Sequence, residues 1–280
     1  NKSFILIILD LSMKRFDNIL KDIKEVKIQG ATNIAKAGIK AFLMQPTEDS
    51  AKAIINTRPT EPLLQNSIKF LLNSQNQKKT AKKILDYIEK SNKKISNYGK
   101  NLIKKDMNVF SHCHSSTVIN ILKQAKKKKK NFVVYTTEVE PLLQGRQTAE
   151  DLAKAKIKVI VFPDLAAEQA IKKCDIVLFG ADAFTKRFAV NKIGTSTICN
   201  IATDNNIPTY SAGISLKFTK KVKMEFRKES EVWNEKNKNI DIVNPAFDKI
   251  PKKLITGVIS EFGILNYKDF AKKAKQKTRC

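Results

Sequence analysis

The chain has few of the features that mark several common classes of protein. Its four cysteines form no Cys-x-x-Cys pair and stand far apart, at Cys113, Cys174, Cys199 and Cys280. This spacing argues against a zinc site or a disulfide framework and fits a reducing cytoplasm. The longest apolar run, the strand-like Phe4–Leu9, is too short to span a bilayer, and no small-residue cleavage site follows it. We therefore expect a cytoplasmic protein without a membrane anchor or a signal peptide.

Arginine is scarce although the chain is strongly basic. The formal net charge is +26, yet only six of the 53 basic residues are arginine. Surfaces that recognise nucleic acid specifically favour arginine forks and interleaved aromatic residues. Here lysine is scattered through the whole chain, and the run Lys126–Lys130 falls between a helical segment and a strand. We expect no dedicated nucleic-acid site, and the basic charge would instead help to draw in an anionic substrate.

Hydrophobic spacing divides the chain into two parts. Residues 11–105 carry apolar residues three and four positions apart, which predicts helices, including a lysine-rich one over about residues 79–103. From Met107 onward, short apolar strands alternate with helices that start near Ser115, Gln147, Leu165 and Thr195. The predicted strands are Met107–Phe110, Phe132–Tyr135, Val159–Phe162, Ile176–Phe179 and Pro208–Ser211. We expect an α/β protein: a helical domain over residues 1–105, then a Rossmann-like domain over residues 106–280 with a mostly parallel, doubly wound sheet.

Polar residues follow the carboxyl ends of four successive predicted strands. These residues are Cys113, Glu138, Asp164 and Asp182. Because the carboxyl ends of parallel strands share one edge of the sheet, we expect the four side chains to meet in a single crevice. Each also has a structural interpretation: Asp164 is typical of a helix N-cap, and a free cysteine is commonly a small buried hydrophobe.

Cys113 and Asp182 are the candidate catalytic pair. Ser115 indicates that a helix begins just after Cys113, and the positive end of that helix, with His112 and His114 nearby, is expected to lower the pKa of the thiol. A thiolate at Cys113 would take a proton from carbon, while Asp182, kept protonated in a water-poor cleft, would handle a proton on oxygen. We expect the histidines to make local hydrogen bonds, and we expect neither a metal nor a cofactor.

Several other residues are candidates for binding phosphate. Gly30-Ala31 precedes a helical run whose start leaves backbone N–H groups free for an anion. Arg58 and Arg146 carry fork-shaped groups that can bind phosphate, although an isolated arginine more often has a structural role. Asn191 and Lys192 stand just before a glycine and a helix start, where they would orient and neutralise a phosphate.

These motifs resemble those of a known superfamily. Gly180-Ala181-Asp182 followed by Asn191-Lys192-Ile193-Gly194-Thr195 is similar to the signature of the superfamily that contains ribose-1,5-bisphosphate isomerase, methylthioribose-1-phosphate isomerase and the regulatory subunits of translation initiation factor 2B. Ser111-His112-Cys113-His114-Ser115 is similar to the cysteine motif of the archaeal bisphosphate isomerases. The resemblance extends from about residue 20 to residue 266. Its other segments are Gly30-Ala31, Thr57-Arg58-Pro59, Thr137-Glu138, Gln144-Gly145-Arg146, Lys217-Phe218, Asn244–Asp248 and Ile255–Ile264.

The resemblance implies an aldose–ketose isomerase most like ribose-1,5-bisphosphate isomerase, which would form ribulose 1,5-bisphosphate through an enol phosphate. It also implies that Cys113 and Asp182 are catalytic and that Lys217 belongs to the substrate site. It further implies a homodimer or a hexamer, and a place in nucleoside salvage. The alternatives are methylthioribose-1-phosphate isomerase and an initiation-factor-2B-like subunit that binds a phosphorylated ligand and a protein partner. The regulatory subunits commonly lack the cysteine, so Cys113 favours an isomerase.

The chain departs from the isomerase pattern in its phosphate motifs. Gln29 and Glu140 stand where the isomerases usually have arginine, and one residue is missing between Asp182 and Asn191. Losing two arginines and gaining a carboxylate predicts weaker bisphosphate binding, unless Lys192, Lys186 or Arg187 compensates.

Overall fold

The computed structural model describes the backbone of residues 2–279 and the side chains of residues 13–279. Helix α1 covers Lys2–Lys24, so the strand-like interpretation of Phe4–Leu9 is wrong. The packing of that run, like Cys280, lies outside the described residues. No helix in the described part of the chain is long and apolar enough to cross a membrane.

The amino-terminal part is helical, as predicted, and local signals set the helix boundaries. A capping box begins one helix, with Thr47 Oγ1 accepting a hydrogen bond from the backbone N–H of Ser50 at 3.1 Å. Pro62 occupies the first position of another, where its missing N–H costs nothing. The lysine-rich helix ends at Gly99, four residues earlier than predicted. The helices after α1 are α2 Ala31–Met44, α3 Glu48–Thr57, α4 Pro62–Leu72 and α5 Gln77–Gly99.

The carboxyl-terminal part contains two sheets. The strands are β1 Met107–His112, β2 Phe132–Thr137, β3 Lys158–Phe162, β4 Ile176–Gly180, β5 Ala183–Phe184, β6 Phe188–Lys192, β7 Thr209–Ala212, β8 Phe247–Pro251, β9 Gly257–Ser260 and β10 Gly263–Leu265. A seven-stranded sheet has the order β10-β9-β7-β4-β1-β2-β3, and β10 pairs antiparallel with β9 while the other pairings are parallel. This confirms the predicted mostly parallel sheet, whose five predicted strands correspond to β1–β4 and β7.

Helices lie between successive parallel strands of the large sheet, and the last helix follows strand β10. They are α6 Ser116–Lys127, α7 Gln144–Lys154, α8 Ala167–Ile171, α9 Thr195–Asp204 and α10 Tyr267–Lys277. The starts of α6 and α9 agree with the prediction to within one residue. Helix α7 begins three residues earlier than predicted, and a short 3₁₀ turn over Asp164–Ala166 precedes α8.

The second sheet, which the sequence analysis did not predict, is a small antiparallel one made of β5, β6 and β8. Strand β6 ends with Asn191 and Lys192, which lie opposite Asp248 and Phe247 of β8. Asp248 Oδ2 accepts a hydrogen bond from the backbone N–H of Ser196 at 3.0 Å, so β8 also caps the first turn of α9. The small sheet thereby fixes the segment that carries two of the candidate phosphate-binding residues.

Apolar side chains of the helical part and of the large sheet pack in one cluster, to which Ile88 and Ile95 of α5 and Ile121 of α6 contribute. A Cβ added at Gly99 would lie 2.6 Å from Ile121 Cδ1, so the end of α5 approaches α6 closely. The division of the chain into two domains at residue 105 stays a prediction.

Candidate active site

Cys113 lies in the turn between β1 and α6. Its φ is +64°, in the left-handed region that non-glycine residues seldom adopt and that recurs at functional sites. Thr148 Oγ1 donates a hydrogen bond to the Cys113 carbonyl at 3.0 Å, and the thiol donates to Gln144 Oε1 at 3.7 Å. Ser115 then caps α6 by accepting from the N–H of Val118 at 3.4 Å. The turn therefore holds the thiol at the amino end of a helix.

The environment of Cys113 keeps its thiol protonated at neutral pH. Burial raises the pKa of Cys113 to about 12, while the charge of Lys192 acts in the opposite direction. The expected lowering of this pKa is wrong, because desolvation of the charged form outweighs the cation and the helix end. His112 gives no help, since burial lowers its own pKa to about 4 and leaves it neutral.

Both histidines make local hydrogen bonds, as expected. His112 Nε2 donates to the carbonyl of Ile193 at 3.0 Å, which joins the end of β1 to the turn before α9. His114 Nε2 lies 3.2 Å from Asp151 Oδ2 on α7. No cluster of three or more His, Cys, Asp or Glu residues within the described part of the chain is arranged to hold a metal ion.

Asp182 follows β4, which is the neighbour of β1 in the large sheet, and so it lies beside the Cys113 turn. Its backbone N–H donates to the carbonyl of Val190 at 2.8 Å, which ties it to the small sheet. A Cβ added at Gly180 would lie 2.6 Å from Ser115 Oγ, so only glycine lets the chain pass the start of α6 at this point. Strand order and a close backbone approach together bring the carboxyl group to the thiol.

Cations surround the Asp182 carboxyl group. Burial raises the pKa of Asp182, and Lys217, Lys192 and Arg58, in decreasing order, act against that shift. Lys217 Nζ donates to the carbonyl of Ala181, immediately before Asp182. A buried carboxyl with a raised pKa is a stronger base when ionised than an ordinary carboxylate, which suits acid–base chemistry near neutral pH.

A cavity of about 390 Å³ joins most of the residues predicted from the sequence. Its lining includes Cys113, Asp182, Gly30, Ala31, Arg58, Asn191, Lys192 and Lys217. Gly30 is the N-cap of α2 with a φ of +81° and makes no side-chain cap, so N–H groups of the first turn are available to an anion.

Arg146 and two of the four strand-end residues lie elsewhere. Arg146 does not line the cavity, and its Nε donates to Glu138 Oε1 at 2.9 Å. Asp164 accepts from the N–H groups of Val139 and Glu140 at 2.9 and 2.8 Å, in a loop-binding role. The expectation that all four residues meet is wrong, because β2 and β3 lie on the side of β1 opposite β4. Only Cys113 and Asp182 share the crevice.

The sequence analysis did not name several residues of the cavity lining, among them Glu61, Glu225 and Arg227. Glu61 is the N-cap residue of α4, and the other two belong to the segment 219–246 that leads to β8. Thr60 Oγ1 donates to the carbonyl of Lys223 at 2.6 Å and so holds this segment against the start of α4. No sequence signal marks a contact between residues so far apart in the chain.

Arg58 is held between two of these carboxylates. Its Nη2 lies 3.6 Å from Glu61 Oε1, and its Nε lies 3.3 Å from Glu225 Oε2. Burial, and then the charge of Asp182, raises the pKa of Glu61 to about 8. Arg58, a candidate phosphate ligand, therefore lines the cavity while it contacts two acidic side chains.

Comparison with known proteins gives a consistent result over almost the whole chain. The pattern of the Initiation factor 2 subunit family matches residues 21–267. The ribose 1,5-bisphosphate isomerase of Methanocaldococcus jannaschii is 34% identical, over 87% of this chain and 89% of that protein. That of Thermococcus kodakarensis is 30% identical, over 90% and 91%. Among solved structures, the translation initiation factor eIF-2B of Pyrococcus horikoshii OT3 superposes with a TM-score of 0.82 at 29% identity, over 90% of this chain and 97% of that one.

Proposed function

We propose that this chain, which belongs to the Initiation factor 2 subunit family, is an aldose–ketose isomerase. Its reaction would convert ribose 1,5-bisphosphate into ribulose 1,5-bisphosphate. The observation that carries the proposal is the meeting of Cys113 and Asp182 in one buried cavity beside Lys192 and Lys217. A thiol and a carboxyl group supply acid–base chemistry, and the lysines supply phosphate binding. The ribose 1,5-bisphosphate isomerases at 34% and 30% identity support the choice of substrate.

The chemistry of such a substrate sets what the site has to do. A sugar phosphorylated at its anomeric carbon cannot open to a free aldehyde while it keeps that phosphate. Ring opening must instead accompany loss of the proton on the second carbon, which gives an enol phosphate. The reaction therefore needs a base at carbon and an acid at the ring oxygen, both within hydrogen-bond reach of one substrate.

We propose the two roles in the order opposite to the one expected from the sequence, because burial raises the pKa of Cys113. Because its thiol is protonated at neutral pH, Cys113 gives its proton to the ring oxygen as the bond from that oxygen to the first carbon breaks. Asp182, whose pKa is raised by burial against the opposing charges of Lys217, Lys192 and Arg58, takes the proton from the second carbon when it is ionised. Asp182 then delivers this proton to the first carbon, and the hydroxyl proton on the second carbon returns to Cys113 as the ketone forms. Both groups thus end the cycle as they began it.

Asn191, Lys192 and the first turn of α2 hold the phosphate at the first carbon. Asn191 Nδ2 donates to Thr195 Oγ1 at 3.0 Å, which fixes its amide at the end of β6. Lys192, 8% exposed, lies next to it with Nζ 5.8 Å from the centre of the Phe247 ring. These side chains and the first turn of α2 at Gly30 offer donors and positive charge that would neutralise a phosphate as the enol phosphate forms.

A subunit that binds a phosphorylated ligand without turning it over is the second candidate function. The superposition with the translation initiation factor eIF-2B of Pyrococcus horikoshii favours it, as do Gln29 and Glu140 in place of the arginines usual in isomerases. Under either function we propose a cytoplasmic homodimer or hexamer, and under the isomerase function a role in nucleoside salvage. A strictly monomeric active protein at micromolar concentration, seen by light scattering, would contradict the assembly.

Incubation of the purified protein with ribose 1,5-bisphosphate and, separately, methylthioribose 1-phosphate tests the proposal, with ketose formation followed by NMR. We expect ribulose 1,5-bisphosphate from the first and none of the corresponding ketose from the second. Product from methylthioribose 1-phosphate alone would reassign the substrate. Binding of either sugar phosphate without any product would establish the binding subunit instead.

A further inference from the structure

Four charged residues form a distinct part of the cavity lining, which we call the Arg58 cluster: Arg58, Glu61, Glu225 and Arg227. Their side chains are 9%, 3%, 12% and 15% exposed, so each is largely removed from bulk water. Arg227 in turn contacts Glu225 at 3.4 Å and donates from Nε to Glu231 Oε2 at 3.2 Å. When Glu61 is ionised, the two glutamates of the cluster balance the charges of its two arginines, and Glu231 adds one more negative charge beside Arg227.

Three polar atoms of the cluster have unused hydrogen-bonding capacity. Arg58 Nε, Glu61 Oε2 and Glu225 Oε2 are buried and have no hydrogen-bond partner among the described residues. The 3.3 Å contact between Arg58 Nε and Glu225 Oε2 brings the charges together, but the two atoms are not aligned for a hydrogen bond. Buried polar atoms of this kind call for a partner, and the three residues that carry them line the cavity.

When Glu61 is ionised, the unused atoms are one donor and two acceptors. A sugar hydroxyl can accept from Arg58 Nε and donate to a carboxylate oxygen, so it matches this set. A phosphate group offers mainly acceptor oxygens and negative charge, so it matches Arg58 alone and is repelled by Glu61 and Glu225. To use the whole guanidinium fork, a phosphate would have to displace a carboxylate and leave that carboxylate buried without its partner.

On the basis of the isomerase function proposed above, we propose that Glu61 and Glu225 are specificity-determining residues, which engage Arg58 and so weaken the binding of a second phosphate group relative to a hydroxyl group. Without these two carboxylates, Arg58 would make the enzyme prefer a sugar bisphosphate over a sugar monophosphate more strongly. The groups that face Glu61 are Asp182, Arg58, Lys217 and Glu225. Since the pKa of Glu61 is about 8, its contribution is larger at pH 9 than at pH 7.

The test is a comparison of two affinities in each protein. Dissociation constants for ribose 1-phosphate and ribose 1,5-bisphosphate are measured by calorimetry at pH 9, on a Cys113→Ser background that prevents turnover. We expect Glu61→Gln and Glu225→Gln each to raise the preference for the bisphosphate by at least about fivefold, because each removes a negative charge in ion-pair reach of Arg58. At pH 7, where less of Glu61 is ionised, Glu61→Gln should raise the preference for the bisphosphate by a smaller factor. Glu168→Gln, which breaks an exposed ion pair with Lys172 on α8, is the control for net charge and should leave the preference unchanged.

Each outcome decides something. An unchanged or lower preference for the bisphosphate in both variants would overturn the proposal, as would failure of both sugars to bind the Cys113→Ser protein. If Glu61→Gln does not fold, judged by circular dichroism, Glu225→Gln decides alone, since its side chain is partly exposed. If the parent chain shows no turnover but the two variants show a raised preference for the bisphosphate, the proposed isomerase function is wrong and the proposed role of the Arg58 cluster is retained.

Discussion

The hydroxyl of Tyr87 on α5 donates a hydrogen bond to Glu261 Oε1 just after β9, at 2.5 Å. Glu261 is 6% exposed, and both of its carboxylate oxygens also accept from the N–H of Ser215 at 3.1 Å. Ser215 is two residues before Lys217, which lines the cavity. One buried carboxylate therefore connects the helical part of the chain to the turn that positions a cation beside Asp182.

Replacement of Tyr87 by phenylalanine should lower the free energy of unfolding by about 1–3 kcal/mol, because the variant leaves a buried carboxylate short of a donor. It should also raise KM more than it lowers kcat, since Lys217 loses support while Cys113 does not. Urea denaturation and steady-state kinetics measure the two effects. Tyr98→Phe, at a 39% exposed position, is the matched control and should change stability by less than about 0.5 kcal/mol. Equal stability losses in the two variants would contradict the role of the buried bond.

Stability should fall in acid because of His112. Its pKa is about 4 in the folded protein and about 6.5 in an unfolded chain. Between these values the unfolded state binds a proton that the folded state does not, so the folded state loses stability as the pH falls. The loss from this one group is about 3 kcal/mol between pH 7 and pH 4.

Urea denaturation over this pH range measures the His112 effect. His112→Gln should show a shallower decline between pH 7 and pH 4 than the parent chain, whatever its stability at pH 7. His114→Gln serves as the control and should keep the parent's decline. A parallel decline in all three proteins would show that His112 does not account for the acid sensitivity.

Loss of either proton-handling group should abolish most turnover without abolishing binding. Cys113→Ser and Asp182→Asn should each lower kcat by at least about a hundredfold, since each removes an acid or a base from the reaction. Substrate binding, measured by calorimetry, should persist in both variants. Cys174→Ala, at a buried cysteine away from the cavity, should keep turnover within about twofold of the parent. Near-parental turnover in Cys113→Ser or Asp182→Asn would refute the assignment.

Lys192→Met should separate binding from folding. The substitution keeps the length of the side chain and its contact with Phe247 but removes a charge from the cavity, so KM should rise by about tenfold. The free energy of unfolding should change by less than about 1 kcal/mol, because a buried ammonium group is replaced by an apolar one. Lys172→Met, at an exposed position on the surface, controls for the loss of one positive charge. An unchanged KM in Lys192→Met would remove this lysine from the site.

Local sequence patterns determined five of the seven strands of the large sheet and several members of the site. Alternation of apolar strands with helices predicted β1–β4 and β7, because burial on both faces demands continuous apolar runs at that spacing. The rule that chemistry lies at the carboxyl ends of parallel strands singled out Cys113 and Asp182. Gly30 and Lys192 were found from glycines at helix starts, which are also local signals.

Tertiary structure alone decided which of those candidates meet and how they are charged. The strand order places β4 beside β1 and leaves Glu138 and Asp164 on the other side, and no local pattern encodes that order. The contact of Arg58 with Glu225 joins the residue that follows α3 to a distant segment, so it exists only once the chain has closed around the cavity. The pKa of Cys113 rises for the same reason: desolvation depends on everything packed around the thiol, and a sequence window contains only its chain neighbours.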